Sequence, residues 1–511
     1  MSRGGPRRTG PADTSPRTDA GEGRAGTRVV RRAPSAAQGA VTLVAFASMC
    51  SVLAPLNSTM IAVVLPQIRD DFGLTRGSVG WLISAYLIAM AVAQPVAGRL
   101  GDQLGRGRVV RVGLLLFIGT SVASTFAPNF PVLIVLRVAQ AVFGAGLIPN
   151  AMALLRERAS VGELGRLNGF NAAAIAAAAG VGPLLGAVAL AAGSWRFVFP
   201  ASLPFALGAL ALLPRLGLQD RHATGGAKSD WLGTTQYAVL LIWLTALLGA
   251  SAGASVGGRL LIAWVGFVVA LVWFVWRQSV SPTPAAAWGL FRVRSFAAAS
   301  AQVLLTNLVM YTTLLMVPFL VNDVLHGSAG TSGLLLGVMA LFMGFAAPLG
   351  GRLSDLRGRR LAAQAGAILV LVAALLLVVS VRAGVTSVQL AAWLAVLGAG
   401  VGLGTGAANT AAIESAPRAL AGAAAGTSSM MRYVGSIVGA GVLAATLSAG
   451  SAVKPDASTF VALQLVIAIM AGAAALAACL IHAFPPPEEA SEAEGSAHLT
   501  SISARGARPA D

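Results

Sequence analysis

The chain has 511 residues, of which 56% are hydrophobic and only 11% are Asp, Glu, Lys or Arg. A water-soluble chain of this length would form about three domains, and such domains carry roughly 25% charged residues. The composition therefore excludes a water-soluble globular protein and predicts a polytopic membrane protein. In a soluble protein, a net charge of +17 would suggest that the protein binds nucleic acid. Here the excess positive charge falls in loops between apolar segments. We expect no nucleic-acid partner.

The cysteines and histidines form no pattern that indicates a metal site or a disulfide. Cys50 and Cys479 lie in apolar stretches near opposite ends of the chain, and the four histidines are scattered. The sequence also lacks the Gly-x4-Gly-Lys-Ser/Thr loop with which an ATP-driven pump would hold phosphates. We therefore expect no metal, no cofactor and no enzymatic activity.

Two polar tails flank a long apolar body. Residues 1–38 are rich in Arg, Gly, Pro and Ser, and residues 485–511 begin with three prolines and continue with acidic residues. Such segments bury too little apolar surface to fold, so we expect both tails to be disordered. Between the tails, apolar runs of about 20 residues, the length that spans a bilayer, alternate with short polar breaks.

The apolar runs predict an all-α polytopic membrane protein with fourteen transmembrane helices. The approximate bounds are 40–65, 78–98, 109–127, 131–154, 167–192, 197–214, 232–250, 257–276, 296–321, 331–351, 361–381, 387–412, 420–449 and 457–484. We divide the body into an N-terminal six-helix bundle (39–217), a linker with two extra transmembrane helices (218–295) and a C-terminal six-helix bundle (296–484).

The basic residues predict the orientation of these helices. With both tails inside, 28 of the 36 Lys and Arg residues fall on the cytoplasmic side and only six fall on the outer side. Short cytoplasmic loops of membrane proteins carry such an excess of positive charge. We therefore expect an even number of helices, with both termini in the cytoplasm.

One loop motif occurs twice. Residues 95–106 read PVAGRLGDQLGR, and residues 348–359, which lie 253 positions later, read PLGGRLSDLRGR. Each copy follows an apolar helix and opens a predicted cytoplasmic loop. Two homologous halves explain the repetition, and paired halves are the architecture of many secondary transporters. An extra helix pair between the halves accounts for the length of the offset.

The repeated loop resembles the signature loop between the second and third helices of the major facilitator superfamily. The resemblance implies two bundles that rock around a central site, with the loop as a conformational latch; a basic loop that only anchors topology is the alternative. Gly98 and Gly105 would allow a tight turn, and Asp102 can accept hydrogen bonds from loop arginines. The latch residues would be Gly98, Arg99, Asp102, Gly105, Arg106 and Arg108 in the first half and Gly351, Arg352, Asp355, Gly358, Arg359 and Arg360 in the second.

Two further motifs resemble the same superfamily. Residues 133–140 of the fourth predicted helix resemble its intramembrane arginine motif, and residues 182–186 of the fifth resemble the motif typical of its exporters. The latter belong to a stripe of small residues, which lets another helix approach closely. The residues that carry these motifs are Arg137 and Gln140 in the fourth helix and Gly182, Pro183 and Gly186 in the fifth.

The first predicted helix departs from its closest pattern at one position. Residues 56–66, LNSTMIAVVLP, resemble the first-helix motif of the fourteen-spanner drug:proton antiporters, in which an Asp usually stands where this chain has Asn57. The resemblance implies proton antiport, which usually needs a buried group that titrates. Asn57 cannot titrate, so Asp323 or Glu414, both near predicted helix ends, or a titrating substrate would carry the proton.

Arg137 is the most unusual charge in the predicted membrane body. Arg137 lies about 9 Å and Asn57 about 12 Å from the outer helix ends at 1.5 Å per residue, so the two side chains could face each other. A charge within a membrane is a candidate for function. Arg137 would contact an anion or a strongly polar acceptor on the substrate, or it would be satisfied by backbone carbonyls, Gln140 and water.

Other polar residues within the predicted helices would either line a cavity or join helices to one another. They are Gln94, Asn150, Asn171, Gln302, Asn307, Tyr311, Thr312, Asn409, Ser428 and Arg432. Asn307 and Tyr311 share a helix face at i, i+4 spacing in the first helix of the second half. We take Asn57, Arg137, Gln140, Asn150, Asn171, Asn307, Tyr311 and Asn409 as candidates for substrate binding or coupling.

These features predict a monomeric, secondary-active exporter of amphipathic small molecules in a bacterial inner membrane, which works by alternating access and proton antiport. An exporter of an anionic or polar metabolite, driven by its own gradient or by the membrane potential, is the second possibility. A membrane sensor that does not transport is the third, although neither tail adds a soluble domain that would support it.

Overall fold

A computed structural model describes residues 36–74, 76–158, 164–216, 231–250, 257–281, 288–417, 421–448 and 457–481. The predicted C-terminal tail and all but residues 36–38 of the N-terminal tail lie outside these ranges. Within them, every regular element is a helix. The all-α prediction is therefore confirmed for the described part of the chain.

The first half contains seven α-helices: α1 (Ala36–Asp71), α2 (Arg76–Leu104), α3 (Arg106–Thr125), α4 (Phe130–Ala145), α5 (Leu147–Arg158), α6 (Leu164–Ala191) and α7 (Leu203–Leu212). Short 3-10 turns (Trp195–Val198, Pro200–Ser202 and Leu213–Leu216) flank α7. Two helices, α8 (Trp231–Ala250) and α9 (Gly257–Val280), lie within the predicted linker.

The second half begins with a 3-10 turn (Trp288–Arg292) and contains α10 (Arg294–Asp323), α11 (Ala329–Arg357), α12 (Arg359–Ala383), α13 (Ser387–Glu414), α14 (Ala421–Ser448) and α15 (Ala457–Cys479). Among the described residues, ten helical segments are long and apolar enough to cross a membrane, or eleven if the bent α2 counts as one span. The chain is thus a multi-pass membrane protein.

Prolines explain where the helices differ from their predicted bounds. The predicted helix 131–154 breaks at Gly146 into α4 and α5, because Pro149 has no N–H to donate to the last residue of α4. The predicted helix 197–214 is instead a series of short pieces around Pro200 and Pro204, for the same reason.

The two halves contact each other through equivalent helices. Within the first half α1 packs on α6 and α2 on α4, and within the second half α11 and α12 pack on α13. Between the halves α6 packs on α11, α2 on α14 and α1 on α10. The second helix of each half therefore meets the fifth helix of the other. The extra helix α8 packs on α9 and also contacts α2 and α14.

Glycines bring the halves close together near the starts of α2 and α11. A Cβ on Gly80 would lie 3.7 Å from the Cβ of Ala444, and one on Gly333 would lie 2.6 Å from the Cβ of Ala187. Gly80 and Gly333 are separated by the 253-residue offset of the repeated loop. The two contacts are therefore symmetric equivalents, and they lie at the ends of α2 and α11 that are remote from the repeated loops.

Candidate functional site

A buried polar cluster surrounds Arg137 in the first half. Arg137 Nη1 donates to Gln140 Oε1 at 2.6 Å and to Asn57 Oδ1 at 3.4 Å, and Nη2 donates to the backbone carbonyl of Asn57 at 3.3 Å. Gln140 in turn donates to Ser121 Oγ at 2.7 Å. The helices α1, α3 and α4 thus each contribute a neutral oxygen to the cluster, and the prediction that Asn57 faces Arg137 is confirmed.

Aromatic rings complete the surroundings of Arg137. Its Cζ atom lies 4.2 Å from the centroid of the Tyr86 ring and 5.9 Å from that of Phe199, both within the range of cation–π attraction. Arg137 is 0% exposed, and only its Nε lacks a hydrogen-bond partner among the described residues. These contacts with Gln140 and a carbonyl favour the interpretation in which the protein itself satisfies Arg137.

A charged cluster lies where α2 meets α3. Arg106 donates to Asp102 Oδ1 through Nη2 at 2.8 Å and through Nε at 3.1 Å, and its Nη1 lies 2.6 Å from Glu157 Oε1. Gly105 has a φ of 95°, which suits glycine and lets α3 begin immediately after α2. The predicted pairing of Asp102 with a loop arginine is present. Glu157, at the end of α5, is a partner that we did not predict.

The second half repeats this cluster. Arg359 Nη1 lies 2.5 Å from Asp355 Oδ1, and Arg359 also donates to both oxygens of Glu414 at 3.1 and 3.2 Å. Gly358, with a φ of 90°, matches Gly105. Because Glu414 lies in this ion pair at the end of α13, the suggestion that it carries a proton through the membrane interior is not supported. Asp323 likewise lies at a helix end, where its Oδ1 accepts from the amide of Asn322.

The other latch candidates occupy varied positions. The prediction that Gly98 contributes to the turn is wrong, because Gly98 lies inside α2 and packs against Pro149. Gly351, Arg352 and Arg360 are exposed on α11 and α12. Arg108 lies in the first turns of α3, and the side chain of Arg99 lies outside the described part of the chain.

Three candidate asparagines are held by hydrogen bonds within one half. Asn150 donates to the carbonyls of Ala97 at 3.0 Å and Gly146 at 2.8 Å, which joins α5 to α2. Asn171 contacts the sulfur of Met152, and Asn409 accepts from Ser428 at 2.9 Å. These bonds are typical of polar side chains that join helices.

Tyr311 and Asn307 lie in α10, which contacts α1 of the other half. Tyr311 donates its hydroxyl hydrogen to Ser58 Oγ at 3.3 Å, and Asn307 donates to the carbonyl of Val303 at 2.8 Å. Tyr311 is therefore the one candidate side chain that makes a described hydrogen bond across the two halves. The prediction that the two residues share a face did not anticipate this contact.

The exporter-like residues of α6 pack tightly on α1. A Cβ on Gly186 would lie 2.7 Å from the carbonyl oxygen of Met60, and one on Gly182 would collide with Thr59. The carbonyl of Pro183 faces Gly333 of α11. Gly182 and Gly186 therefore let α6 approach α1 of the same half, and Pro183 lies against α11 of the other half.

Comparison with known proteins decides the family. The model of the Major Facilitator Superfamily matches residues 47–440 of the chain and, in a second match, residues 303–508. The chain belongs to the major facilitator superfamily. This membership agrees with two halves that carry the same loop motif, and it makes the protein a transporter by family, consistent with the prediction that it is not an enzyme.

Curated bacterial relatives support the assignment. The MFS-type transporter YwoD of Bacillus subtilis is 32% identical over 79% of this chain and 89% of its own length. The multidrug efflux pump LfrA of Mycolicibacterium smegmatis is 28% identical over 83% of each chain. The multidrug transporter protein MdtP of Bacillus subtilis is 26% identical over 78% of this chain and 73% of its own length.

Proposed function

We propose that the protein is a secondary-active exporter of amphipathic small molecules that works by alternating access. The observation that carries this proposal is the paired contact of Gly80 with Ala444 and of Gly333 with Ala187 between two homologous halves. Relatives named as multidrug transporters, such as LfrA and MdtP, support export as the direction. Pro183 of the exporter-like motif lies at this same interface, against Gly333.

The charged clusters would act as latches in this cycle. Both clusters are formed while the remote ends of α2 and α11 are in contact with the other half. Each joins the second, third and fourth helices of its own half, so that half can rotate as one body. With the loops in the cytoplasm, the observed state would be closed toward the outside.

We further propose the arrangement in the membrane that the sequence predicts. The chain would cross a bacterial inner membrane fourteen times as a monomer, as in the fourteen-spanner drug:proton antiporters, with both termini in the cytoplasm. The helices α8 and α9 would form the extra pair. The excess of Lys and Arg in the predicted cytoplasmic loops supports this orientation.

Two modes of coupling remain, and the geometry of Arg137 favours the second. Proton antiport is the mode implied by the resemblance to drug:proton antiporters. However, the first-helix position at which the antiporters carry a titrating Asp is Asn57 in this chain. Its side-chain and backbone oxygens already accept hydrogen bonds from Arg137. This observation favours an exporter of anionic or polar compounds that is not coupled through a carboxylate on α1.

Purified protein in liposomes tests the export function. Ethidium, 1-naphthalenesulfonamide and 1-naphthalenesulfonate would serve as cationic, neutral and anionic probes, and protein-free liposomes would correct for leakage. We expect protein-dependent flux of at least one probe. If correctly folded protein moves none of the three probes faster than protein-free liposomes do, export of amphipathic compounds is contradicted.

The variant Asn57→Asp tests the coupling mode. A carboxylate at this position would face Arg137 and could bind and release a proton, so the variant should gain a response to an imposed pH gradient. The variant Asn307→Asp, which places a carboxylate on α10 of the other half, is the matched control. If the unmodified protein already responds to the pH gradient as strongly as Asn57→Asp, the mode of transport without proton coupling is wrong.

A further inference from the structure

The centre of the molecule is marked by a contact between equivalent residues. Ser58 on α1 and Tyr311 on α10 are separated by 253 positions, which is the offset of the repeated loop, and they are joined by a hydrogen bond of 3.3 Å. A residue that touches its own counterpart must lie beside the axis that relates the two halves. In transporters built from repeats, the substrate site lies at this interface near the middle of the bilayer.

The tyrosines of the protein gather around this contact. The sequence has only four, and they lie on α2, α8, α10 and α14. Tyr433 lies within electrostatic range of each of the others. Tyr433 also lies near Gln94 of α2, the helix of the other half on which α14 packs. We call Tyr86, Tyr237, Tyr311 and Tyr433 the tyrosine cluster.

Arg432 adds a positive charge to this cluster. It precedes Tyr433 on α14 and lies within electrostatic range of both Tyr433 and Tyr311. Arg432, Tyr433 and Tyr311 are all half-buried, so a molecule between the halves can reach them. Neither Ser58 nor Gln94 on the facing helices carries a charge that would neutralise Arg432.

The guanidinium of Arg432 has few partners in this position. Its described hydrogen bond is a long one, from Nη2 to Ser429 Oγ at 3.4 Å, and its Nε is buried without a partner. The carboxylates in the described part of the chain lie at helix ends or in turns. A guanidinium donates five N–H groups and accepts none, so the site is rich in donors and poor in acceptors.

We infer that Arg432 and Tyr311 form a subsite that binds an anionic, oxygen-rich group of the transported molecule, such as a sulfonate or a carboxylate. The planar guanidinium can bind two oxygens of such a group at once. When the halves separate, the Tyr311 hydroxyl loses its contact with Ser58 and can donate a further hydrogen bond to the bound group. The inference rests on the proposed export function and names the charge of its substrate. The ring of the half-buried Tyr433 would contact the apolar part of the molecule.

The test compares an anion with its neutral isostere. In liposomes, the unmodified protein should move 1-naphthalenesulfonate faster than 1-naphthalenesulfonamide. Arg432→Gln should lower this ratio about tenfold, which is the typical loss for a charge-assisted hydrogen bond, whereas Arg432→Lys should retain part of it. Tyr311→Phe should lower the ratio less. Arg259→Gln, which removes an exposed arginine of α9, is the control and should leave the ratio unchanged.

The outcomes separate this subsite from the export function. Equal flux of the two probes, or an unchanged ratio in folded Arg432→Gln, would overturn the anionic subsite while export itself stands. If no probe crosses the membrane, the export proposal fails. Equilibrium binding of 1-naphthalenesulfonate to the detergent-purified protein then decides the subsite: binding that Arg432→Gln weakens supports it, and absent or unchanged binding overturns it.

Discussion

The two arginines within the helical body, Arg137 and Arg432, have opposite surroundings. Arg137 is fully enclosed in the first half, with three hydrogen bonds to neutral oxygens and an aromatic ring on its face. Arg432 is half-buried in the second half, beside the contact between the halves, and has one long hydrogen bond to its own helix. The fold has therefore provided acceptors for one buried cation and has left the other short of them.

This difference indicates a structural role for Arg137 and a substrate-binding role for Arg432. An unpaired charge in a low-dielectric interior is costly, so a cation that the protein does not satisfy is stable only where water or a ligand satisfies it. Arg137 meets its requirement inside one half and holds α1, α3 and α4 together. Arg432 lies where the halves would move apart during transport, so a substrate can supply what the helices do not.

Locking the halves together should have the largest effect on transport. In a background with Cys479→Ser, Gly80→Cys and Ala444→Cys would place Cβ atoms 3.7 Å apart, a distance suited to a disulfide. Oxidation should abolish flux and a reductant should restore it, because Arg432 could no longer be reached from the closed side. Each single cysteine is the control. Full flux in the oxidised double variant would contradict alternating access through this interface.

Removing Arg137 should mainly cost stability. Arg137→Ala leaves Gln140 and Asn57 buried without their partner, and we expect a loss of about 2–3 kcal/mol in the free energy of unfolding. Arg432→Ala, which breaks one long hydrogen bond, should lose less than about 1 kcal/mol. Thermal unfolding of the detergent-purified variants measures both. Equal losses for the two variants would remove the distinction between the arginines.

Two half-buried arginines, Arg106 and Arg359, extend the comparison to the latches and should give the smallest effects. Arg359→Gln should disturb the closed state more than Arg106→Gln, because the Arg359 side chain is 13% exposed and that of Arg106 is 25% exposed. Ion pairs at this exposure contribute about 0.2–1 kcal/mol, so opening should increase no more than about fivefold. The labelling rate of a cysteine introduced at Ala444 measures opening. An unchanged rate in both variants would contradict the latch role.

The sequence was sufficient for features that depend on position along the chain. The rise per residue of a helix put Asn57 and Arg137 at similar depth, and the 3.4 Å contact between them confirms it. The repeated motif likewise located both aspartate–arginine pairs. Proline chemistry was underestimated at Pro149, where the predicted single helix is broken in two.

Contacts that depend on how the helices are rotated and paired could not be predicted from the sequence. Glu157 and Glu414 join the charged clusters from distant helices, and no spacing in the sequence connects them to the loops. The cover of Arg137 by Tyr86 depends on the angle at which α2 meets α4. Sequence reasoning placed Gly98 in the turn because it belongs to the motif, but α2 continues through it to Leu104.

The most direct test of the account concerns the driving force. Liposomes containing the unmodified protein would be loaded with 1-naphthalenesulfonate, which stays ionised, and exposed to a membrane potential at equal pH or to a pH gradient at zero potential. Because Asn57 cannot titrate beside Arg137 and an anion carries charge across the membrane, we predict that the potential drives flux and the pH gradient does not. Flux driven by the pH gradient alone would contradict the account.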